Sequence, residues 1–368
     1  MSDDRHWMSR AITEAEEALG STAPNPAVGA VLVRNGLLLG MGHTQPPGGY
    51  HAEAVALADA KARGIDVSGA TIYITLEPCR HYGRTPPCTD AIIAAGISRV
   101  VVGVEDVFPA MQGKALKQLR QAGLEVVLGV EGDRCANLVR GFTRATAYGL
   151  PEVTCKAGIS ADGHIATQSG ESQWITGEAA RQKGHRLRAT HDAVAVGIGT
   201  VLADNPRLTC RHGGSHPRPV VFDTELRIPD SAAIFDHPSE PILLCARDAP
   251  QRELRADIVR LPRGAGGVDV EQALRALVCL EQHRILIEGG GQLHRSLLDA
   301  RLVDTVCLFM AGMLIPGGRP WVGGSPLDSL AQAIKLKNPI MERVGPDIQL
   351  LWQMTHAVDE SEESCSQD

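Results

Sequence analysis

His51-Ala52-Glu53, then Thr75-Leu76-Glu77-Pro78-Cys79, then Gly83-Arg84-Thr85-Pro86-Pro87-Cys88 set out one imidazole with a carboxylate two residues on, and two thiols, within 38 residues. Zinc in a catalytic site takes three protein ligands and keeps a fourth position for water. His51, Cys79 and Cys88 supply one nitrogen and two sulfurs for that purpose, and Glu53 is the carboxylate placed to move protons beside them. Two thiolates and Zn²⁺ are formally neutral, which suits a bound hydroxide. Residues two apart on a helix diverge, so His51 and Glu53 converge only if His51 stands at a helix start with non-helical dihedrals. Pro87 favours a helix start at Cys88, and a cysteine there is expected to have a lowered pKa. A core histidine with two core thiols is the bland alternative. A purely structural zinc, which normally takes four protein ligands, is another.

Around this stretch the pattern is α/β. Residues 5–19 place Met8, Ile12, Ala15 and Leu19 at helical spacing. The segment 27–33 reads as a buried strand, and Asn35-Gly36 as a two-residue hairpin turn into 37–42. A helix over 52–63, a strand over 71–76, a helix from 89, a strand over 99–104, a helix over 114–122 and a strand over 124–130 follow. A helical stretch over 131–149 ends at Gly149-Leu150-Pro151. The boundary is therefore set there, giving one domain over 1–149 and a second over 150–355. The second again alternates, with strands expected at 153–159, 192–197, 218–223, 241–245, 284–288 and 303–310. Its helices are expected at 177–189, 269–281 and 292–300, with Thr176 as an N-cap. Residues 356–368 form an acidic tail too poor in apolar residues to pack.

Composition bounds the rest. At 368 residues two domains are expected. Aromatic content is 4% and net charge −7, which disfavours base-stacking platforms and broad polyanion surfaces. No nucleic acid and no membrane is expected as a partner, and the chain is expected to be cytoplasmic and a homo-oligomer. Nine cysteines, an odd number, suit a reducing compartment. Cys135, Cys155, Cys245, Cys279 and Cys307 read as small core residues, and Cys365 falls in the tail.

The zinc pattern resembles the nucleobase deaminases, H-x-E followed by P-C and a second Cys. It departs from them in the eight residues between Cys79 and Cys88. Arg80, His81 and Arg84 in that spacer suit a phosphorylated substrate, and a solvated loop is the equal alternative. Asn25-Pro26 before AVGAVLV, Gly42-His43, Gly49-Tyr50-His51-Ala52-Glu53 and TLEPCRHYGRTPPC resemble the deaminase half of the bifunctional riboflavin-biosynthesis deaminase/reductases. Residues 153–209 resemble the reductase half, and the two together cover roughly 5–355. The resemblance implies a cytidine-deaminase-like α/β/α domain followed by a dihydrofolate-reductase-like α/β domain, one Zn²⁺ per chain and NADPH. It implies deamination of 2,5-diamino-6-ribosylamino-4(3H)-pyrimidinone 5′-phosphate, then reduction of the ribosyl side chain to ribityl. Asn25 is the implied pyrimidine contact, with His43 a further candidate.

In the second half the resemblance implies that Ser172, Arg188, Leu208, Arg211 and Glu288 contact substrate. It implies that Gly158, Trp174, Thr200, Asp204, Thr224 and the run Gly290, Gly291, Gln292, Leu293, His294, Arg295, Ser296 contact the cofactor. The physical readings beside it are more general. Arginine forks suit phosphate, a helix N-terminus after glycines suits an anion, and a tryptophan is as readily a core aromatic. There is no G-x-G-x-x-G after a strand, which disfavours a Rossmann domain. Gly184, inside a helical pattern, costs roughly 1 kcal/mol against alanine, and His164 stands where a Lys or Arg is usual. No decisive acid for the reduction is visible. A deaminase whose second domain has another reductive or regulatory role remains an alternative.

Overall fold

The computed structural model describes residues 2–80, 86–108, 111–211 and 213–354. His81, Arg84 and the acidic tail with Cys365 lie outside these residues. The chain divides after Leu150 into two compact units.

The first unit runs α1 (Ser2–Ala18), β1 (Gly29–Arg34), β2 (Leu37–His43), α2 (Ala52–Ala62), β3 (Thr71–Leu76), α3 (Cys88–Ala94), β4 (Arg99–Val104), α4 (Lys114–Gln121), β5 (Glu125–Leu128) and α5 (Gly132–Tyr148). Its sheet has the order β2-β1-β3-β4-β5. β1 is antiparallel to both neighbours, whereas β3, β4 and β5 are parallel. Asn35 and Gly36 both take positive φ, 55° and 72°, as a tight hairpin turn requires. Helices α1 and α5 cover one face, and α2, α3 and α4 the other.

Small residues bring the layers together. A Cβ on Gly29 would stand 1.9 Å from the Ala11 carbonyl, and one on Gly40 2.4 Å from that of Ala56. The opposing helix stripes, Ala11 and Ala15 on α1 and Ala52, Ala56 and Ala60 on α2, are fully buried. At the start of α1, Asp4 accepts two bonds from Arg99 at 2.7 and 3.1 Å and one from Tyr73 at 2.9 Å, which ties that helix to the middle of the sheet.

The second unit comprises β6 (Glu152–Ser160), β7 (His164–Ala166), α6 (Glu178–Ala189), β8 (Ala193–Gly197), α7 (Ile198–Asp204), β9 (Arg218–Phe222), β10 (Ile242–Ala246), β11 (Asp257–Leu261), β12 (Arg263–Gly264), β13 (Gly267–Val268), α8 (Val270–Cys279), β14 (Arg284–Ile287), α9 (Gly291–Asp299), β15 (Thr305–Ala311), β16 (Arg319–Pro320), β17 (Ile340–Val344) and β18 (Asp347–Gln353). Nine strands form one sheet in the order β11-β10-β9-β8-β14-β6-β15-β18-β17. From β11 to β15 every pairing is parallel, and the β17–β18 hairpin adds an antiparallel edge.

Three features differ from the sequence reading. The helix expected to be capped by Thr176 starts one residue later, with Gly177 at the N-cap. The Gly177 N–H is taken at 2.7 Å by Asp347, which is remote in sequence. Cys279 is exposed at the end of α8, whereas Cys135, Cys155, Cys245 and Cys307 are buried. The helix α7 and the strands β7, β11, β12, β13, β16, β17 and β18 were not anticipated. β17 leaves four of its five residues exposed, so it carries no apolar alternation to read.

His191 stands at the end of α6 as a fully enclosed neutral imidazole. Its Nδ1–H donates to the Leu187 carbonyl at 2.8 Å, and Nε2 lies 3.1 Å from the Thr154 hydroxyl, which donates to it. Burial, reinforced by the Arg284 charge, holds its pKa down at about 3. Below pH 6.5 the unfolded chain therefore binds a proton that the folded chain refuses, and stability falls as pH drops from 6.5 toward 3. The loss from this one group is about 2 kcal/mol at pH 5. His191→Gln is expected to flatten the stability–pH curve between pH 6.5 and 4, measured by urea unfolding of the full chain.

Candidate active sites

The parallel strands of the first unit run out at one edge, and the chemistry collects there. Gly29 N–H donates to the Thr75 hydroxyl at 3.1 Å, so the start of β1 lies beside the end of β3. Gly29 also pairs with His43 at the end of β2. Asn25, His43, His51 and Cys79 all lie on segments entering or leaving this edge. His51 is the N-cap of α2 with φ −72° and ψ 159°, the extended backbone that lets its ring and the Glu53 side chain turn toward each other. Pro87 caps α3, and Cys88 is its first residue.

The imidazole Nδ1 lies 3.5 Å from Cys79 Sγ and 3.4 Å from Cys88 Sγ, and the three ligand atoms lie within 4.8 Å of one another. Tetrahedral zinc at its usual bond lengths separates a nitrogen and a sulfur ligand by about 3.5 Å. The donor set therefore fits zinc with one position open. Glu53 is 3% exposed; burial and then the Cys79 charge push its pKa up to about 7. Cys88 and then His51 stabilise the Cys79 thiolate and hold it down at about 4 against burial. Cys88 is pushed up by Cys79 and by burial. Cys79 also accepts the Cys88 backbone N–H at 3.3 Å, so the two thiols titrate as one coupled pair beside His51.

A residue that the sequence reading passed over holds this corner. Glu77 is buried, and its carboxylate accepts N–H bonds from Asp106 at 3.2 Å, Gly113 at 2.9 Å and Ala115 at 2.9 Å. It closes the start of α4 and braces the chain one residue before Pro78-Cys79. Asn25 is half-buried and its side chain makes no hydrogen bond among the described residues. His43 pairs with Glu14 at 3.4 Å. Arg80 is exposed.

In the second unit the expected residues gather at the carboxyl ends of parallel strands, where α/β sheets bind ligands. Glu288, just past β14, accepts a two-pronged bond from Arg188 on α6, at 2.9 and 2.7 Å. A further Arg188 N–H reaches the Thr209 carbonyl at 2.9 Å. Burial opposes the Glu288 charge, but Arg188 and then Lys156 hold its pKa down at about 2. Lys156 was missed, although a lone cation inside the apolar run of β6 was a visible signal. Its ammonium end lies 3.3 Å from where a Gly184 Cβ would stand, so the helix glycine makes room for it. Arg211 is exposed and Ser172 half-buried. Leu208 is 3% exposed in the core, with φ 57°, so its side chain is committed to packing.

Of the expected cofactor residues, Trp174 is 60% exposed and no core aromatic. Gly158 lies against Thr176, and Gly289 leaves room for the Thr200 hydroxyl 2.7 Å from a would-be Cβ. Asp204 is exposed. Thr224 and Ser296 both approach the β12–β13 turn, at Gly267 and Gly266. Gly290 caps α9 with φ 78°, and Gly291 and Gln292 follow in its first turn. Leu293 and His294 point inward: the His294 ring lies 3.1 Å from the Trp321 carbonyl. Arg295 pairs with Asp299. What this stretch can offer a phosphate is backbone N–H groups at a helix start, which fits the pyrophosphate of a dinucleotide.

Residues 151–350 match the RibD C-terminal domain, and residues 1–104 the cytidine and deoxycytidylate deaminase zinc-binding region. The riboflavin biosynthesis protein RibD of Actinobacillus pleuropneumoniae is 39% identical over 94% of this chain and 94% of its own. That of Escherichia coli K12 is 36% identical over 94% of this chain and 98% of its own. A solved Thermotoga maritima structure, a diaminohydroxyphosphoribosylaminopyrimidine deaminase/5-amino-6-(5-phosphoribosylamino)uracil reductase, superposes with a TM-score of 0.88 at 33% identity, covering 96% of this chain and 99% of that one. Acinetobacter baumannii RibD superposes with a TM-score of 0.85 at 35% identity, over 96% and 99%.

Removing one partner of a buried ion pair strands the other, at a cost of about 3–5 kcal/mol. Side-chain exposures of 17% for Arg188 and 7% for Glu288 place this pair in that class. Glu288→Ala is expected to lower the unfolding free energy of the second unit by that amount. The pair's contribution holds above pH 4.5 and fades as pH falls toward 2, so the wild-type and Glu288→Ala curves should converge in acid.

Proposed function

Because the chain belongs to the RibD family, the bifunctional deaminase/reductases of riboflavin biosynthesis, we propose that its two units act in turn on one phosphoribosylated pyrimidine. The first substrate is 2,5-diamino-6-ribosylamino-4(3H)-pyrimidinone 5′-phosphate. The end product is 5-amino-6-(5-phosphoribitylamino)uracil. The observation that carries the reading is the convergence of His51 Nδ1 on two thiols with a buried carboxylate two residues along.

Zinc held by His51, Cys79 and Cys88 supplies Lewis-acid activation of water. Glu53 would take a proton from the attacking water, deliver it to the ring nitrogen and then protonate the departing ammonia. Its enclosure, 3% exposed, favours a carboxyl that can take up a proton and give it back. Asn25 offers an amide with donors and acceptor free for the pyrimidine edge. Water is consumed and ammonia released, with no redox change.

NADPH supplies the hydride for the second step. Ser172, Arg188, Arg211 and Glu288 hold the substrate, with the arginines toward its phosphate; Leu208 has only its main chain to offer. Gly158, Trp174, Thr200, Asp204, Thr224 and residues 290–296 hold the cofactor, the last through backbone N–H groups. With the cofactor held there, its hydride would go to C1′ of the opened ribosyl group, and one proton from solvent would complete the balance. The tight Arg188–Glu288 fork keeps both groups in place before substrate arrives.

The test follows both products by mass in the full chain. Without NADPH, the diaminopyrimidine phosphate should exchange one amino group for oxygen and stop there. With NADPH it should gain two further hydrogens. Glu53→Ala should lower ammonia release by about 10²–10⁴-fold while still carrying one zinc per chain. Deamination at the wild-type rate by that variant would remove Glu53 from the mechanism.

A further inference from the structure

Trp174 is a large aromatic left 60% exposed, on a loop that is otherwise held firmly. Arg319 donates to the Gln168 carbonyl at 3.2 and 3.0 Å. Thr167 and Glu171 are bonded across the turn. At the far end, Gly177 N–H meets Asp347 at 2.7 Å. The indole itself makes no hydrogen bond among the described residues. What fixes it is Arg181, whose guanidinium carbon lies 4.6 Å from the ring centroid.

Arg181 is not a free surface charge that happens to lie there. Its Nη1 donates to the Thr176 carbonyl at 2.7 Å, and Nη2 pairs with Glu178. The guanidinium is anchored on the loop's own exit and first helical turn, and it backs one face of the indole. That arrangement orders a tryptophan side chain in advance of any ligand, and it leaves the exposed ring surface to stack on another flat ring.

We propose that Arg181 makes the Trp174 platform prefer a neutral dihydropyridine ring over the cationic pyridinium ring. This rests on the reading above that Trp174 receives the nicotinamide. Reduced nicotinamide is uncharged, and oxidised nicotinamide carries a positive charge in the ring. With the ring stacked about 3.5 Å beyond the indole, the two positive charges are roughly 8 Å apart. Coulomb repulsion at that distance, between effective dielectrics of about 20 and 80, corresponds to roughly 2- to 30-fold in affinity. Glu178, paired with Arg181, and screening by salt bring the expectation to the low end of that range, about 2- to 4-fold. The consequence is directional: Arg181 favours entry of the reduced cofactor and departure of the oxidised one, and it touches neither substrate nor hydride.

The experiment measures dissociation constants of NADPH and NADP⁺ for the full chain and for Arg181→Met, Arg181→Lys and Trp174→Ala. Urea unfolding of each full-length variant, compared with wild type, checks that the second unit is folded. Wild type should bind NADPH more tightly than NADP⁺. Arg181→Met should shrink that ratio by about 2- to 4-fold, whereas Arg181→Lys, which keeps the charge, should retain most of it. An unchanged ratio in Arg181→Met, with NADPH binding weakened in Trp174→Ala, overturns the role of Arg181 alone. Unaltered NADPH binding in Trp174→Ala overturns the placement of the ring on Trp174, and this inference with it.

Discussion

His51 Nδ1 sits 3.5 and 3.4 Å from two thiol sulfurs, and the first unit is arranged to keep those three atoms together. They come from three separate places: the N-cap of α2, the turn after β3 and the first residue of α3. Each is fixed by a different device. His51 holds an extended backbone at a helix entry. Cys79 follows Glu77, whose carboxylate is locked by three backbone N–H groups. Cys88 follows a proline cap and gives its own N–H to Cys79. The sheet beneath sets the spacing, because β3 and β4 end side by side and β1 starts against the end of β3. Close helix approach through Gly29 and Gly40 keeps α1 and α2 tight to that sheet.

The second unit solves a different electrostatic problem. Glu288 is buried with the Arg188 fork on it and Lys156 close by. Two cations around one carboxylate leave a net positive site at the strand ends, which suits a phosphorylated substrate. Such a cluster is costly to assemble, since each charge loses water, and it persists because Arg188 is satisfied on three sides. Gly184 belongs to the same arrangement. As a helix residue it is unfavourable by propensity, yet a side chain there would press on the Lys156 ammonium. Trp174 and Arg181 form a second prearranged element at the same end of the unit.

Much of this was legible in the residues. The order of His51, Glu53, Cys79 and Cys88 fixes the ligand types, and the alternation of strand and helix gives two α/β units. What was not legible shares a physical cause. Thr176 looked like a cap, but the N–H of Gly177 is claimed by Asp347, remote in sequence, and no local pattern announces a partner so distant. β17 is an edge strand exposed at four of five positions, so it has no buried face to write into the sequence. Cys279 sat in an apolar helix run but fell on its outer end. Leu208 carries a substrate-contact expectation, yet its side chain packs in the core; similarity of motif does not say which atoms of a residue face a ligand.

The sequence by itself set out the donor types that converge at the first site, because ligand type and the nearness of a carboxylate to a histidine are local properties of the chain. It also determined the layer architecture, through hydrophobic period and glycine placement. Only the tertiary structure decided that Glu77 braces the turn before Cys79, that Glu288 and Arg188 neutralise each other, that Lys156 joins them and that Arg181 backs Trp174. Each of those depends on distances between segments brought together by strand register and helix packing. Charge interactions fall off over a few ångströms, so a reading that lacks those distances cannot rank them.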